Sequence, residues 1–127
     1  DSMASQSNIL LVDDDDELRG IIRDILTRHG YAVTDACDYD TAVMQLKQRV
    51  FHLLLLDITL PGKSGLDILE FVKRNRPECV VIMITGASGL DLAIKSMALG
   101  AKDYITKPCS PNYLLHSVEH ALSVQHT

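Results

Sequence analysis

The sequence has 127 residues, enough for one globular domain, and its 46% hydrophobic and 23% charged residues exclude a disordered or fibrous chain. The formal net charge of −5 argues against non-specific nucleic-acid binding by this segment. The longest apolar run, residues 79–84, is far shorter than the roughly 20 residues of a membrane span, which argues against insertion into a bilayer.

The chain opens with a polar stretch that is followed by a short apolar run. Residues 1–7 lack periodicity, and we expect them to be a disordered leader or a remnant of the expression vector. Residues 8–12 read N-I-L-L-V, which is typical of a strand buried on both faces of a parallel sheet. A helix follows, with Asp15 or Asp16 as its N-cap and Gly30 at its end. Its apolar stripe consists of Leu18, Ile21, Ile22, Ile25 and Leu26.

The same alternation continues through the middle of the chain. Residues 31–36 predict a second strand and residues 51–56 a third, and the helix between them begins near Asp40. The apolar face of that helix consists of Tyr39, Ala42, Val43, Leu46 and Val50. Residues 61–65 form a loop rich in turn formers, and the next helix must end before Pro77. That third helix is marked by Leu66, Ile68, Leu69, Phe71 and Val72.

Two more strands and two more helices complete the pattern. The strands are residues 80–84 and 103–106, and the helices are residues 90–99 and 111–123. Gly100 ends the first of these helices, and Pro111 opens the second at a position where its missing N–H costs little. Its inward residues are Leu114, Leu115, Val118 and Leu122. Residues 124–127 are expected to be a tail, so the predicted domain covers residues 8–123.

Five strands that alternate with five helices predict right-handed crossovers and a doubly wound α/β fold around a parallel sheet. Ligands bind such sheets beyond the carboxyl ends of the strands, at the point where the strand order reverses. If the order is 2-1-3-4-5, the first and third strands are neighbours at that point. Asp13 and Asp14 follow the first strand and Asp57 follows the third, so we expect the three side chains to lie close together.

Carboxylates this close repel one another unless a cation neutralises them. The available ligands are oxygens, which favours Mg²⁺ or Mn²⁺ over zinc or copper. For Asp15, Asp16 and Glu17 the alternative is a solvent-exposed acidic helix start that interacts with the helix dipole.

The three cysteines, Cys37, Cys79 and Cys109, are far apart in the sequence. None of the close pairs used by zinc sites or small disulfide frameworks is present, and the sequence opens without a secretory signal. We therefore expect reduced thiols in a cytoplasmic protein.

Four sequence motifs in the chain resemble those of one family, the receiver domains of two-component response regulators, which include the single-domain chemotaxis regulators. The motifs are L-L-V-D-D at 10–14, L-L-D-I-T-L-P-G-K-S-G at 55–65, I-T-G-A at 84–87 and D-Y-I-T-K-P at 103–108. They occur in the family's order, and the resemblance covers essentially residues 8–123. The resemblance implies a flavodoxin-like fold and a signalling switch that catalyses its own phosphorylation and dephosphorylation.

The resemblance also implies a phosphorylation site. Asp57 would accept the phosphoryl group from a histidine kinase or a histidine phosphotransfer protein. Mg²⁺ would bind Asp14, Asp57 and the main-chain carbonyl of Thr59, with Asp13 acting directly or through water. The chemistry is consistent with this, because a carboxylate can attack phosphorus in line when positive charge is supplied to the phosphoryl oxygens.

Further residues would bind the phosphoryl group and transmit its arrival. Lys107 would pair with the carboxylate and then with the phosphoryl group, aimed by a cis bond to Pro108. Thr85 would donate its hydroxyl, and Tyr104 would turn inward as Thr85 moves. The surface made by the fourth helix, fifth strand and fifth helix would then change, and a homodimer could form through it. The alternatives are a surface lysine at 107, a strand former at 85 and a fixed, half-buried aromatic at 104.

The chain departs from the family at Cys109, where an aromatic residue often follows Lys-Pro. Thr59 and Ala87 occupy positions that vary in the family and that, by the resemblance, would flank the path of attacking water, so the phosphoryl lifetime stays open. Three other functions compete with a competent receiver: a flavin carrier, an aspartate-based phosphatase and a receiver that only binds proteins. The acids after the first strand would repel a flavin phosphate, and the D-x-D signature of the phosphatases fails at Thr59. The chain is either a single-domain regulator or part of a larger protein.

Overall fold

Strands and helices alternate along the chain in the computed structural model, which describes residues 7–86 and 89–125, with side chains up to Ser123. The strands are β1 (Asn8–Val12), β2 (Ala32–Ala36), β3 (Leu53–Leu56), β4 (Val80–Thr85) and β5 (Asp103–Thr106). The helices are α1 (Asp16–Arg28), α2 (Tyr39–Gln48), α3 (Gly65–Asn75), α4 (Leu90–Ala98) and α5 (Pro111–Gln125).

The five strands form one parallel sheet in the order β2-β1-β3-β4-β5. The predicted doubly wound α/β fold and its strand order are therefore confirmed. In the register of the sheet, Leu11 on β1 lies between Asp35 on β2 and Leu55 on β3. Because β1 and β3 adjoin, the turns that follow them meet at one edge of the sheet.

The central position of β3 in the sheet explains why its sequence is apolar at every position. Leu54 and Leu56 belong to the core on the side of α2 and α3, whereas Leu53 and Leu55 belong to the core on the side of α1 and α5. All four leucines are fully buried. A strand covered on both faces has no solvent side, so it needs no polar alternation.

Side-chain caps set the start of four helices, and the cap of α5 is Ser110, whose hydroxyl accepts the N–H of Tyr113. Asp15 caps α1 by accepting the N–H of Leu18, and Asp38 caps α2 by accepting the N–H of Thr41. Ser64 caps α3 in a capping box with Asp67. Helix α4 follows Gly89, which provides no side-chain cap.

The structure corrects two predicted core positions. Val50 is 59% exposed, because α2 ends at Gln48 and the extended backbone of Arg49 breaks the helical period. Ile21 is 52% exposed, because α1 buries only the narrower face that carries Ile22 and Leu26.

Several element boundaries also differ from the predictions by one or two residues. β2 begins one residue later than predicted, β3 begins two residues later, and α5 continues to Gln125. Of the predicted leader, residues 1–6 lie outside the described residues, as do Ala87 and the last two residues of the tail. Ser7 is buried, and its carbonyl accepts the N–H of Ala32.

Candidate functional site

The turns after β1 and β3 bring two aspartates to one edge of the sheet. The N–H of Asp57 donates to the carbonyl of Val12 at 3.0 Å, and the N–H of Asp13 donates to the carbonyl of Ala36 at 3.1 Å. Each bond extends the sheet one residue beyond its strand. The backbones of Asp13 and Asp57 are therefore held by the sheet itself.

Asp14 completes a cluster of three carboxylates with Asp13 and Asp57. Each side chain offers an oxygen, and the three oxygens lie within 4.8 Å of one another. Asp13 is fully buried and Asp57 is 4% exposed, whereas Asp14 is exposed. Clustered oxygen ligands with one open side suit a hard divalent cation such as Mg²⁺ or Mn²⁺, which retains several waters. The residues present therefore fit the predicted metal.

The ammonium of Lys107 bridges the two buried carboxylates. Its Nζ donates to Asp13 Oδ2 at 2.6 Å and to Asp57 Oδ2 at 3.0 Å. The main-chain N–H of Lys107 donates to the carbonyl of Thr85, and the Lys107–Pro108 peptide bond is cis. A lysine that follows β5 thus reaches across β4 to the ends of β1 and β3.

The second oxygen of each buried carboxylate accepts a main-chain N–H. Asp13 Oδ1 accepts from Asp15 at 2.9 Å, and Asp57 Oδ1 accepts from Thr59 at 3.0 Å. Each aspartate therefore has one oxygen on the backbone and the other on Lys107. This division fixes the plane of both carboxylates. The side chain of Thr59 points to solvent.

Burial and charge act in opposite directions in this cluster. Burial raises the pKa of Asp13 above its usual value and outweighs the hydrogen bonds from Lys107 and Asp15. For Lys107, burial alone would lower the pKa, but hydrogen bonds to Asp13 and Asp57 prevail and raise it. Lys107 is therefore held as a cation, while the negative charge of Asp13 is only partly compensated.

Thr85 and Tyr104 lie on the two strands next to the cluster. Thr85 is the last residue of β4, is fully buried and pairs with Thr106 on β5. Tyr104 on β5 is half-buried and packs against the core on the side of α2 and α3. Burial raises the pKa of Tyr104, and the negative charge of Asp57 adds to this effect.

The acidic residues that begin α1 have separate roles. Asp15 caps the helix through Leu18, and Asp16 forms an ion pair with Arg19. Asp15, Asp16 and Glu17 are all exposed and lie outside the three-carboxylate cluster.

Arg19 is a residue of the site that sequence reasoning missed. Its guanidinium donates to the main-chain carbonyl of Asp13 at 2.7 Å, to Asp16 at 2.8 Å and to Asp35 at 3.2 Å. From the sequence, Arg19 reads as part of the polar face of α1. Only its spacing of three residues from Asp16 signals an interaction.

Gly65 was predicted only as part of a turn, yet it lies directly against the site. Its N–H donates to the carbonyl of Ile58 at 2.8 Å. A Cβ at position 65 would overlap the main-chain oxygen of Asp57 and lie 2.8 Å from the Cα of Ile58. The first turn of α3 can therefore approach the loop after β3 only because residue 65 is glycine.

An apolar groove of about 290 Å³ runs beside Lys107, between α1 and the start of α5. Its apolar lining includes Leu18, Ile21, Ile25, Pro108 and Leu114. The exposed side chain of Ile21 belongs to this groove.

None of the described helices combines the length and the hydrophobicity of a membrane span.

The sequence is similar to known signalling proteins. The sequence profile of the response regulator receiver domain matches residues 9–119. The nitrogen assimilation regulatory protein NtrX of Azorhizobium caulinodans is 37% identical over 117 residues, which are 91% of this chain and 26% of that protein. The chain thus spans about a quarter of the length of this curated relative.

Solved structures of receiver domains share the fold of this chain. A CheY-like response regulator receiver domain protein from Methanospirillum hungatei superposes with a TM-score of 0.92 at 34% identity, covering 94% of this chain and 96% of that one. The beryllofluoride-activated NtrC4 receiver domain dimer superposes with a TM-score of 0.90 at 31% identity, covering 94% and 99%.

Proposed function

The chain belongs to the response regulator receiver domain family, whose members are signalling switches, and from this membership we propose that Asp57 is the phosphoacceptor of a two-component phosphorelay. The observation that carries the proposal is the environment of Asp57. Its carboxylate lies between the ammonium of Lys107 and the N–H of Thr59, each at 3.0 Å, and belongs to a cluster of three acidic residues.

In the proposed reaction, a carboxylate oxygen of Asp57 attacks the phosphorus of a phosphohistidine in line. The new P–O bond forms as the P–N bond breaks, and the leaving imidazole takes up a proton. Lys107 is oriented to move its hydrogen bond from the carboxylate to a phosphoryl oxygen. Hydrolysis by water later returns the carboxylate and releases phosphate.

The proposed metal ligands are Asp14, Asp57 and the main-chain carbonyl of Thr59, with Asp13 acting directly or through water. When bound, Mg²⁺ or Mn²⁺ supplies positive charge that neutralises the carboxylates and the phosphoryl oxygens. The support for this ligand set is the cluster of oxygens within 4.8 Å and the raised pKa of Asp13, which marks a carboxylate lacking full compensation.

The proposed output is a change of the switch surface, defined here as α4, β5 and α5. Thr85 would donate its hydroxyl to the phosphoryl group, and Tyr104 would move into the space left behind it, which is a population shift driven by a local charge. The proposal is supported by the adjacency of β4 and β5 and by the exposed apolar residues of α4, which are Leu90, Ile94 and Met97. Burial of these residues would favour a homodimer through the switch surface.

We propose that the phosphodonor is a histidine kinase or a histidine phosphotransfer protein and that this domain functions in the cytoplasm. The apolar groove beside Lys107 supports a protein donor, since it offers contact area next to Asp57. The carboxylates that follow β1 make nucleic acid an unsuitable ligand for this segment.

Intact-mass spectrometry after incubation with acetyl phosphate and Mg²⁺ tests the proposal. We expect one hydroxylamine-labile phosphoryl group on the wild type. Asp57→Asn should prevent the adduct while keeping the fold, because the amide retains the shape of the side chain and reduces repulsion among the carboxylates. Asp40→Asn, at an exposed position in α2, is the matched control and should be phosphorylated normally.

Two results would contradict the proposal. An adduct that persists at wild-type rate in Asp57→Asn would assign another acceptor. A wild type that stays unmodified would favour a domain that only binds other proteins.

A further inference from the structure

The side chain of Arg19 forms a hydrogen bond to the peptide unit that links Asp13 and Asp14. Its guanidinium donates to the carbonyl of Asp13 at 2.7 Å, and that carbonyl belongs to the peptide unit whose nitrogen is that of Asp14. The orientation of this peptide determines where the side chain of Asp14 begins. Arg19 therefore acts on the geometry of the cluster without entering it.

Two other acceptors hold the guanidinium in place. Arg19 donates to Asp16 in the first turn of α1 at 2.8 Å and to Asp35 near the end of β2 at 3.2 Å. Its side chain is only 16% exposed. One planar group thus connects the turn after β1, the start of α1 and the end of β2, and charge-assisted bonds of this kind are stronger than neutral ones.

Asp14 depends on such indirect support. Unlike Asp13 and Asp57, whose carboxylates accept bonds from Lys107 and from the backbone, Asp14 receives no hydrogen bond or ion pair from any part of the chain that the structure describes. It is also exposed. Its position relative to the other two carboxylates is consequently set by the main chain of the turn.

We propose that Arg19 is a positioning residue, which holds the turn at residues 13–15 so that the carboxylate of Asp14 can join the other ligands of the cluster in binding the cation. This inference rests on the proposed function, because it assumes that the cluster binds Mg²⁺. According to this inference, the affinity for Mg²⁺ also depends on Arg19, which is not itself a metal ligand.

The chain offers a matched control in Arg23. Arg23 pairs with the same Asp35 at 3.5 Å, lies on the same helix and is 52% exposed, but it has no contact with the main chain of Asp13. Arg23→Ala thus removes the same charge and one of the two ion pairs of Asp35, while the bond from Arg19 to the carbonyl of Asp13 remains.

The experiment is a calorimetric titration of the full chain with Mg²⁺ alone, accompanied by urea unfolding of each variant. Arg19→Ala should raise the Kd about tenfold, which is the usual effect of losing a residue that orients a metal ligand. Arg23→Ala should change the Kd by less than about twofold, because exposed ion pairs contribute little. Amide hydrogen exchange at Asp15, whose N–H bonds Asp13 Oδ1, should accelerate in Arg19→Ala only.

Arg19→Lys separates geometry from charge. An ammonium keeps the charge but lacks the planar fork that reaches three acceptors, so its Kd should lie near that of Arg19→Ala. A wild-type Kd in Arg19→Lys would show that charge alone suffices and would overturn the inference. So would a loss of stability in Arg19→Ala without a change in Kd.

Asp35→Asn provides a second route should Arg19→Ala fail to fold. It weakens one anchor of the guanidinium and should raise the Kd by a smaller factor. In an Arg19→Lys background it should have little further effect, since both changes act through the same group. Additive effects would contradict the inference.

The wild type distinguishes the two proposals. If it binds Mg²⁺ and accepts a phosphoryl group on Asp57 while the Arg19 variants retain the wild-type Kd, only the role of Arg19 is lost. If the wild type neither binds Mg²⁺ nor forms the adduct, the proposed function fails, and the role of Arg19 fails with it.

Discussion

At the scale of single residues, the site is organised by uneven charge compensation. One ammonium, that of Lys107, serves two buried carboxylates, while the third carboxylate, Asp14, stays exposed. Burial leaves Asp13 with a raised pKa in spite of its contact with Lys107. An additional cation would reduce this cost. The residues proposed to bind the metal should therefore lower the stability of the metal-free domain.

Addition of Mg²⁺ should therefore stabilise the wild type. A ligand at one hundred times its Kd raises the unfolding free energy by about 2.7 kcal/mol. Asp14→Ala should abolish this gain, and without Mg²⁺ it should be at least as stable as the wild type, because repulsion within the cluster falls. Urea unfolding with and without Mg²⁺ measures both effects, with Asp40→Ala as the control. An equal gain in Asp14→Ala would remove Asp14 from the ligand set.

Lys107→Met should be strongly destabilising at neutral pH, by about 3 kcal/mol, because it leaves buried carboxylates without their cation. Interaction with the carboxylates raises the pKa of Lys107 above its usual 10.5. Its contribution is thus complete below pH 10.5 and is lost as the pH rises through the higher value of the folded protein. The stability gap between wild type and Lys107→Met should narrow above pH 10.5.

Urea unfolding of both proteins over a series of pH values measures this gap. Lys102→Met, at an exposed lysine, should show a small difference that does not vary in the same range. A gap that stays constant up to strongly alkaline pH would contradict the ion pair.

At the scale of elements, the site depends on how closely α3 approaches the loop after β3. The capping box of Ser64 and Asp67 starts the helix, and the N–H of Gly65 bonds the carbonyl of Ile58. This contact places the helix start against the main chain of Asp57. The helix thereby holds the loop whose Thr59 N–H orients the Asp57 carboxylate.

Two glycine substitutions should have opposite effects. Gly65→Ala should lower the unfolding free energy by about 1–3 kcal/mol, since the added Cβ overlaps the main chain of Asp57 and forces the loop to shift. It should also slow phosphorylation by acetyl phosphate. Gly20 lies on the exposed side of α1, with open space around an added Cβ. Gly20→Ala should therefore raise the unfolding free energy by about 0.5–1 kcal/mol. Thermal unfolding compares them, and similar effects of both would contradict the close approach.

At the scale of the whole molecule, the sheet order assembles the site from residues far apart in the chain. Lys107 lies 94 positions from Asp13 and 50 from Asp57, yet its ammonium contacts both. The same order places Thr85 on β4, between the cluster and β5. A phosphoryl group at Asp57 would thus be connected to the switch surface through two adjacent strands.

Beryllofluoride, a phosphoryl mimic, should reveal this connection. Amide chemical shifts in the wild type should change around Asp57 and across the switch surface, because Thr85 and Lys107 can bond the added acceptors only by moving. Thr85→Ala should shrink the changes in α4 and α5 while leaving those near Asp57. Changes confined to the neighbourhood of Asp57 in the wild type would mean that the domain accepts phosphate without transmitting it.

Local patterns were enough to predict the elements and their order. The apolar run of β1, the stripe that ends at Gly30 and the leucines of β3 each carry the periodicity of the element they form. Errors occurred where an apolar residue follows the local pattern but remains more than half exposed in the fold, as at Ile21 and Val50. A hydrophobic period indicates which face can be buried, whereas the neighbouring element decides how much of it is.

The sequence by itself determined the architecture and brought Asp13, Asp14, Asp57 and Lys107 to one edge of the sheet, because parallel strands with short crossovers collect their carboxyl ends there. The tertiary structure decided which oxygen faces Lys107, that Arg19 holds the carbonyl of Asp13, and that Gly65 touches the main chain of Asp57. These contacts join side chains to backbone atoms on separate elements. Such contacts follow from the packing of the folded chain, and no local sequence pattern encodes them.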